Sequence, residues 1–327
     1  MNKNKIIWTH SFRQCFKGSG IFMYEQLSNF KSLGFNIEQI FLTKIFNPFN
    51  FIYQYFKYRS LNPDILHAQY GSGNGYLTSL FKAKKKILTI RGSDWYFNTN
   101  QNFSGKIRSY ISNYLTKISL KKFDHIIVMS NRIKNEIGMK HPKYLDKIFV
   151  VTDGIDLNKF YPLNKIEAKQ KINVLEKSFL IGLGSIDPNN TIKNIPLAIS
   201  AIQLAKEKIP NVEFLVISNI AHENINLYLS ACDMILLTSR YEGWPNIIKE
   251  ALACNTPFVS TDVSDLSLIT KKTNFCFIAD STSVSLSNKI IQLYNIVKNS
   301  EPDNLIEIAS EFSLPKNIDK ILKIYNL

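Results

Sequence analysis

Glu242 and Glu250 are spaced E-x7-E within residues 239–254, SRYEGWPNIIKEALAC. Residues 233–238 (DMILLT) ahead of them are apolar and strand-like, and residues 257–260 (PFVS) read as the next short strand. The loop between them carries Glu242 and runs into a helix. Pro245 suits the first helical position, because the N–H it lacks would go unpaired there and its φ is already helical. Ile247, Ile248, Ala251 and Leu252 give that helix an apolar face. At about 1.5 Å rise per residue, Glu250 lies roughly 6–8 Å along the axis from the helix start. The helix mouth offers unpaired N–H groups and the positive end of a dipole, which favour anions. Carboxylates on either side accept hydrogen bonds from vicinal hydroxyls. Phosphates and hydroxyls together are the pattern of a nucleotide sugar. The plain alternative is a capped helix with two solvated glutamates.

Three further stretches could contribute chemistry. Residues 179–183 form a strand ending in Gly182-Leu183-Gly184, and its loop carries Ser185, Asp187, Pro188, two asparagines and Lys193 ahead of a helix over 195–208. Lys193 sits where the helix dipole disfavours a cation, a placement that makes sense if an anion bridges the two. Near the start, a strand over 5–9 leads through Gly18, Ser19 and Gly20 into a helix over 21–33, a turn that serves phosphates in many α/β folds and is otherwise a plain tight turn. Residues 87–90 read as a short buried strand with Arg91-Gly92-Ser93-Asp94 at its carboxyl end, where open parallel sheets place ligands.

Strands and helices alternate through both halves, which predicts an α/β protein with two doubly wound parallel sheets. The 327 residues suffice for two domains. No run approaches the roughly 18–20 apolar residues of a membrane span. Four cysteines without paired spacing read as reduced core thiols of a cytosolic protein, and five histidines form no ligand cluster, so no metal site is expected. The net charge of +14 needs a partner or a compositional cause. Nucleic-acid readers concentrate arginine, whereas only six of the 40 basic residues here are Arg, so nucleic acid is not expected. An anionic membrane surface and a lysine-rich genome both account for the charge. The aromatic run 46–58 (FNPFNFIYQYFKY) fits either a half-buried helix or an interfacial patch with Lys44, Lys57 and Arg59 nearby, and the basic run 82–86 adds a second candidate contact.

Residues 239–265, SRYEGWPNIIKEALACNTPFVSTDVSD, resemble without a gap the donor-site signature of the retaining glycosyltransferases of family four. That resemblance implies the GT-B architecture, two Rossmann-like domains facing across a cleft. It implies an acceptor-binding domain over 1–160, a nucleotide-sugar domain over 161–311, and a final helix, 312–327, crossing back to the first domain. It assigns Glu242 to sugar hydroxyls, Glu250 to ribose hydroxyls, and Lys193 with the segment Gly243, Trp244, Pro245, Asn246 and Ile247 to the diphosphate. Gly18, Ser19 and Gly20 resemble the glycine-rich first loop near the donor phosphates. The R-G-S-D run resembles the family's H-G-x-D loop, with Arg91 in place of His and Asp94 matched, both on the acceptor side. Ser185 stands where an Arg is frequent, and Arg240 is a candidate substitute. Asp153 replaces the Asn of the linker pattern N-G-x-D, followed by Phe160-Tyr161-Pro162. The expected catalytic set is Glu242, Lys193 and Asp94, moving a sugar from a nucleotide-diphosphate sugar to a glycan or lipid-linked hydroxyl with retention. No D-x-D occurs, so lysine and dipole would take the place of a metal, with no cofactor besides the co-substrate. The expected location is cytoplasmic, at the inner face of the membrane. A nucleotide-sugar epimerase of the same fold, or a glycan- or lipid-binding protein with a decayed site, are the rival readings.

Overall fold

The computed structural model describes residues 4–13, 20–98, 101–185, 187, 189–302 and 304–326. The chain divides into two compact units, Met1–Gly154 with Pro315–Leu327, and Ile155–Leu314.

The first unit runs β1 (Ile6–His10), α1 (Ile21–Ser32), β2 (Ile37–Phe41), α2 (Pro48–Tyr58), β3 (Ile65–Ala68), α3 (Ser72–Ser79), β4 (Lys85–Ile90), α4 (Phe103–Ser119), β5 (His125–Val128), α5 (Asn131–Lys140) and β6 (Ile148–Val150). Among the described residues its strands pair in the order β2-β1-β3-β4-β5-β6, and every pairing is parallel. Strands such as IIWTH are buried on both faces, as a sheet covered by helices on either side requires. On one face Ile7, Leu66 and Leu77 pack with Phe51 and Tyr55 of α2, and Leu88, Ile126 and Val128 pack with Ile133 and Ile137 of α5.

The second unit runs α6 (Lys165–Lys171), β7 (Phe179–Gly184), α7 (Ile195–Lys206), β8 (Val212–Ile217), α8 (Ile225–Ala231), β9 (Met234–Leu237), α9 (Asn246–Ala253), β10 (Phe258–Thr261), α10 (Leu266–Ile269), β11 (Phe277–Ala279), α11 (Ser283–Val297) and α12 (Leu305–Ser310). Its sheet order is β11-β10-β9-β7-β8, again all parallel. β7 and β9 lie centrally, so the loops leaving their carboxyl ends, which carry Lys193 and Glu242, emerge side by side. This is the placement that open α/β sheets use for ligands.

A boundary near 160 was expected; the division falls at Gly154. Ile155 already belongs to the second unit, where its N–H donates to the Phe312 carbonyl at 2.9 Å and its carbonyl accepts from the Leu314 N–H at 2.9 Å. The last helix, α13 (Leu314–Asn326), contributes its residues from Pro315 onward to the first unit.

There Tyr325 reaches the sheet face opposite α2 and α5. Its hydroxyl accepts from Trp8 Nε1 at 2.8 Å and meets His67 Nδ1 at 2.7 Å, while His67 Nε2 meets Thr89 Oγ1 at 2.7 Å. Burial, with the Arg91 charge a smaller cause, pushes the His67 imidazole down to about 3. Unfolded, this group titrates near 6.5, so the unfolded chain takes up the proton first as pH falls. The neutral imidazole's contribution is fully present above pH 6.5 and is lost between there and about 3, at roughly 1.4 kcal/mol per pH unit. Urea midpoints measured between pH 7 and 4.5 are expected to fall more steeply for the wild type than for His67→Gln. Parallel slopes would exclude His67 as the source.

Candidate functional site

The site in the second unit is built by hydroxyls that tie loops together. Thr238, just past β9, donates through Oγ1 to the carbonyls of Lys193 (2.8 Å) and Asn194 (3.2 Å), and the Arg240 N–H donates to the Ile192 carbonyl at 2.9 Å. Asn194, the residue capping α7, has φ of 52°, a left-handed turn that asparagine tolerates. These contacts hold the Lys193 loop against the segment after β9. From the other side, Thr261 Oγ1 donates to the Ser239 carbonyl and Ser264 Oγ to the Gly243 carbonyl, each at 2.7 Å.

Lys193 and Glu242 converge in this frame, 49 residues apart in sequence. The ammonium lies 2.7 Å from Glu242 Oε1, which also accepts from Ser239 Oγ at 2.8 Å. The two side chains are 21% and 17% exposed, buried enough to be held and open enough to be reached. Beside them the Tyr241 phenol is pushed up to about 12, by burial first and then by the Glu242 charge.

α9 starts at Asn246, one residue later than expected. Pro245, with ψ of 112°, is the cap and not the first helical residue, and no side chain caps the helix. Asn246 Oδ1 is buried without a hydrogen-bond partner among the described residues, so the helix mouth keeps an unused acceptor beside its free N–H groups. Ile247 packs over the end of β7: a Cβ on Gly184 would lie 2.8 Å from Ile247 Cγ1, so glycine lets α9 come this close. Glu250 lies one turn inside the helix, 3.8 Å from His222 Nε2.

Trp244 departs from the donor-facing placement expected of it. Its ring is buried, tilted on Phe312 at 4.6 Å, with Lys249 Nζ 5.2 Å from its centroid, so it braces the loop. Ser185 is likewise buried and spends its hydroxyl on the Asp187 carbonyl at 2.6 Å. Arg240 hangs over the same loop as Lys193, its guanidinium 3.4 Å from both Asn194 Oδ1 and the Thr191 carbonyl.

In the first unit, Gly18 and Ser19 lie outside the described residues, as does Cys15. Gly20 has φ of 74°, and a Cβ there would lie 2.5 Å from Phe12, so this turn demands glycine. Asp94 is fully buried and spends both oxygens on backbone: Oδ1 accepts from the N–H groups of Arg91 and Gly92 at 2.9 Å, and Oδ2 from Gly71 at 2.7 Å. Burial pushes this carboxyl up against the pull of those N–H groups. Asp94 thus clamps two loops, and no oxygen is left facing a substrate.

Arg91 is also fully engaged. Its guanidinium pairs with Asp153, donates through Nε to the Gln69 carbonyl (2.8 Å) and through Nη2 to Gln69 Oε1 (3.1 Å), and stacks over Phe22 at 4.0 Å. Sequence reasoning missed Gln69 and Asp153 as its partners, and missed Ser239 as the hydroxyl steadying Glu242. It also passed over His10, a buried histidine at the end of β1 whose Nδ1 has no partner among the described residues. Cys232, Cys254 and Cys276 are buried free thiols. Among the described residues no three His, Cys, Asp or Glu gather as metal ligands, and no helix is long and apolar enough to cross a membrane.

Residues 18–159 match the family model Glycosyltransferase Family 4, and residues 200–295 match the model Glycosyl transferases group 1. The chain carries glycosyltransferase domains of both models. An uncharacterized glycosyltransferase of Methanocaldococcus jannaschii is 24% identical over 279 residues, 80% of this chain and 75% of its own. The N,N'-diacetylbacillosaminyl-diphospho-undecaprenol alpha-1,3-N-acetylgalactosaminyltransferase of Campylobacter jejuni is 25% identical over 304 residues, 79% of this chain and 78% of its own. Among solved structures, Anabaena HepE in complex with UDP-glucose aligns with a TM-score of 0.73 at 14% identity, over 99% of this chain and 100% of that one. The fold of this glycosyltransferase is GT-B, with parallel sheets of six and five strands among the described residues.

Proposed function

We propose that the enzyme moves a sugar from a nucleotide-diphosphate sugar to a hydroxyl of a glycan or lipid-linked acceptor, with retention of anomeric configuration. The observation that carries this reading is the convergence of Lys193 and Glu242 beside the open mouth of α9. When the nucleotide leaves, positive charge grows on the sugar and negative charge on the phosphate, and both need fixed partners. Lys193, with the N–H groups at the start of α9, holds the diphosphate and takes up its growing charge. Glu242 accepts hydrogen bonds from sugar hydroxyls next to the reacting carbon, and Glu250 from the ribose. The acceptor hydroxyl attacks the face the phosphate is leaving. Its proton passes to that phosphate, so the new glycosidic bond forms as the old one breaks and no protein nucleophile is required. Asp94 is a positioning residue, and Arg91 a support for the same loop. A UDP-sugar as donor is supported by the UDP-glucose bound in HepE, and a lipid-diphosphate acceptor by the name of the Campylobacter relative.

Calorimetric titration of nucleotide sugars tests this. One sugar nucleotide should bind the wild type, and Lys193→Ala should weaken it by about 10- to 100-fold, the worth of a charge-assisted contact to phosphate. EDTA should leave transfer unchanged. Conversion of the donor sugar to its epimer without any acceptor would replace transfer with epimerisation. Equal affinity in Lys193→Ala would remove the lysine from the site.

A further inference from the structure

Two helices of the first unit each carry an apolar stripe that faces solvent. On α2 the inward stripe is Phe51 and Tyr55, packed with Phe81 and Leu77. Its outward stripe is Phe49, Ile52, Tyr53 and Phe56, spaced i, i+3, i+4, i+7, all exposed, with Phe49 at 85%. On α4 the buried residues are Asn113, Thr116 and Ser119, small or polar and confined to its second half. The outward stripe of α4 is Phe103, Ile107, Tyr110, Ile111 and Tyr114, again at helical spacing, with Phe103 at 80%. Amphipathic helices ordinarily bury their large residues and expose their small ones; α4 does the reverse.

One contact links α4 to the segment ahead of α2. The Arg108 guanidinium of α4 stacks at 5.1 Å over Phe46, in the turn that enters α2. Exposed apolar stripes of this size mark surfaces that are covered in use. The charge around it indicates by what. Residues 42–63 contain Lys44, Lys57 and Arg59 and no Asp or Glu. Residues 95–123 contain Lys106, Arg108, Lys117, Lys121 and Lys122 and again no acid, in a chain of net charge +14. Arg59 lies 4.7 Å over Phe56, and Lys57 lies 5.9 Å from the Tyr53 ring, so cations stand beside the exposed rings. Protruding aromatic residues among cations, on convex helix faces, suit insertion between lipid headgroups that carry negative charge.

We propose that the outward faces of α2 and α4 together form a docking surface for an anionic lipid bilayer. The proposal does not depend on sugar transfer, because vesicle binding needs neither donor nor acceptor. Co-sedimentation of the full chain with phosphatidylcholine vesicles, with and without phosphatidylglycerol, tests it. The wild type is expected to sediment at least about ten-fold more with the anionic vesicles, and to be released by salt. The double variant Phe49→Ser/Phe103→Ser should lose at least about ten-fold of that binding while its circular dichroism and melting midpoint stay unchanged. Lys57→Glu/Arg59→Glu should lose the preference for phosphatidylglycerol. Equal sedimentation with both vesicles, undiminished binding by Phe49→Ser/Phe103→Ser, or no binding at all would overturn the proposal. A dimer that Phe49→Ser/Phe103→Ser dissolves, without vesicle binding, would assign the face to a second copy.

Discussion

Glu242→Gln is expected to reduce kcat/KM for sugar transfer by about a hundred- to a thousand-fold, the loss typical of removing one preorganised electrostatic group from a transition state. The substitution keeps side-chain volume, and an amide oxygen still accepts from Ser239 Oγ, which sits 2.8 Å from the present carboxylate. What goes is the charge that faces the Lys193 ammonium and that the proposed mechanism turns toward the sugar. Lys193 keeps about a fifth of its surface in water, so its loss of a partner costs within about 1 kcal/mol of stability. Melting midpoints should therefore match while turnover collapses. Lys193→Ala combined with Glu242→Gln should cost far less than the product of the single effects, because groups that act as a unit are not additive. Steady-state kinetics on the four proteins decides the matter. A Glu242→Gln enzyme within about ten-fold of wild type would remove the carboxylate from the reaction.

Arg91→Ala is expected to destabilise the first unit by about 3–5 kcal/mol. The side chains of Arg91 and Asp153 are 7% and 12% exposed, so deleting the guanidinium leaves a buried carboxylate without its cation. It also strips two donors from Gln69 and the cover from the Phe22 ring. The double replacement Arg91→His/Asp153→Asn removes both charges together and is expected to recover most of the loss. Urea denaturation of the three proteins reads this directly. A single variant costing less than about 1 kcal/mol, or a double variant no better than the single, would show that the pair is not a stabilising unit.

That pair shows what a linear reading misses. Arg91 and Asp153 each depart from the family's sequence pattern, and along the chain they look like two separate losses 62 residues apart. In the fold they are one ion pair. The position of α9 was legible because its signal is local: two acids, a proline and apolar residues at helical spacing located the helix within a residue. The conflict between the Lys193 charge and the dipole of α7 marked the lysine. The ties made by Thr238, Thr261 and Ser264 were not legible, since a hydroxyl's partner 20 to 45 residues away leaves no trace in spacing. The run 46–58 allowed a half-buried helix or an interfacial patch, and α2 partly buries Phe51 and Tyr55 on one face while Phe49, Ile52, Tyr53 and Phe56 are exposed on the other. The stripe on α4 was overlooked because large apolar residues at helical spacing ordinarily mean core. For Asp94, matching the motif located the residue without revealing that its oxygens hold backbone.

α13 joins the last residues of the chain to the first. Ile318, Ile321, Ile324 and Tyr325 are buried, and Gln26 Nε2 donates to Asn317 Oδ1 at 2.7 Å. Until residues 315–326 are made, Trp8 and His67 of the amino-terminal sheet lack the Tyr325 hydroxyl that both side chains meet. The continuous stretch Ile155–Leu314 has every strand of its own sheet available earlier than that. The unit whose strands are made first is therefore the one that needs residues 315–326 to complete its packing.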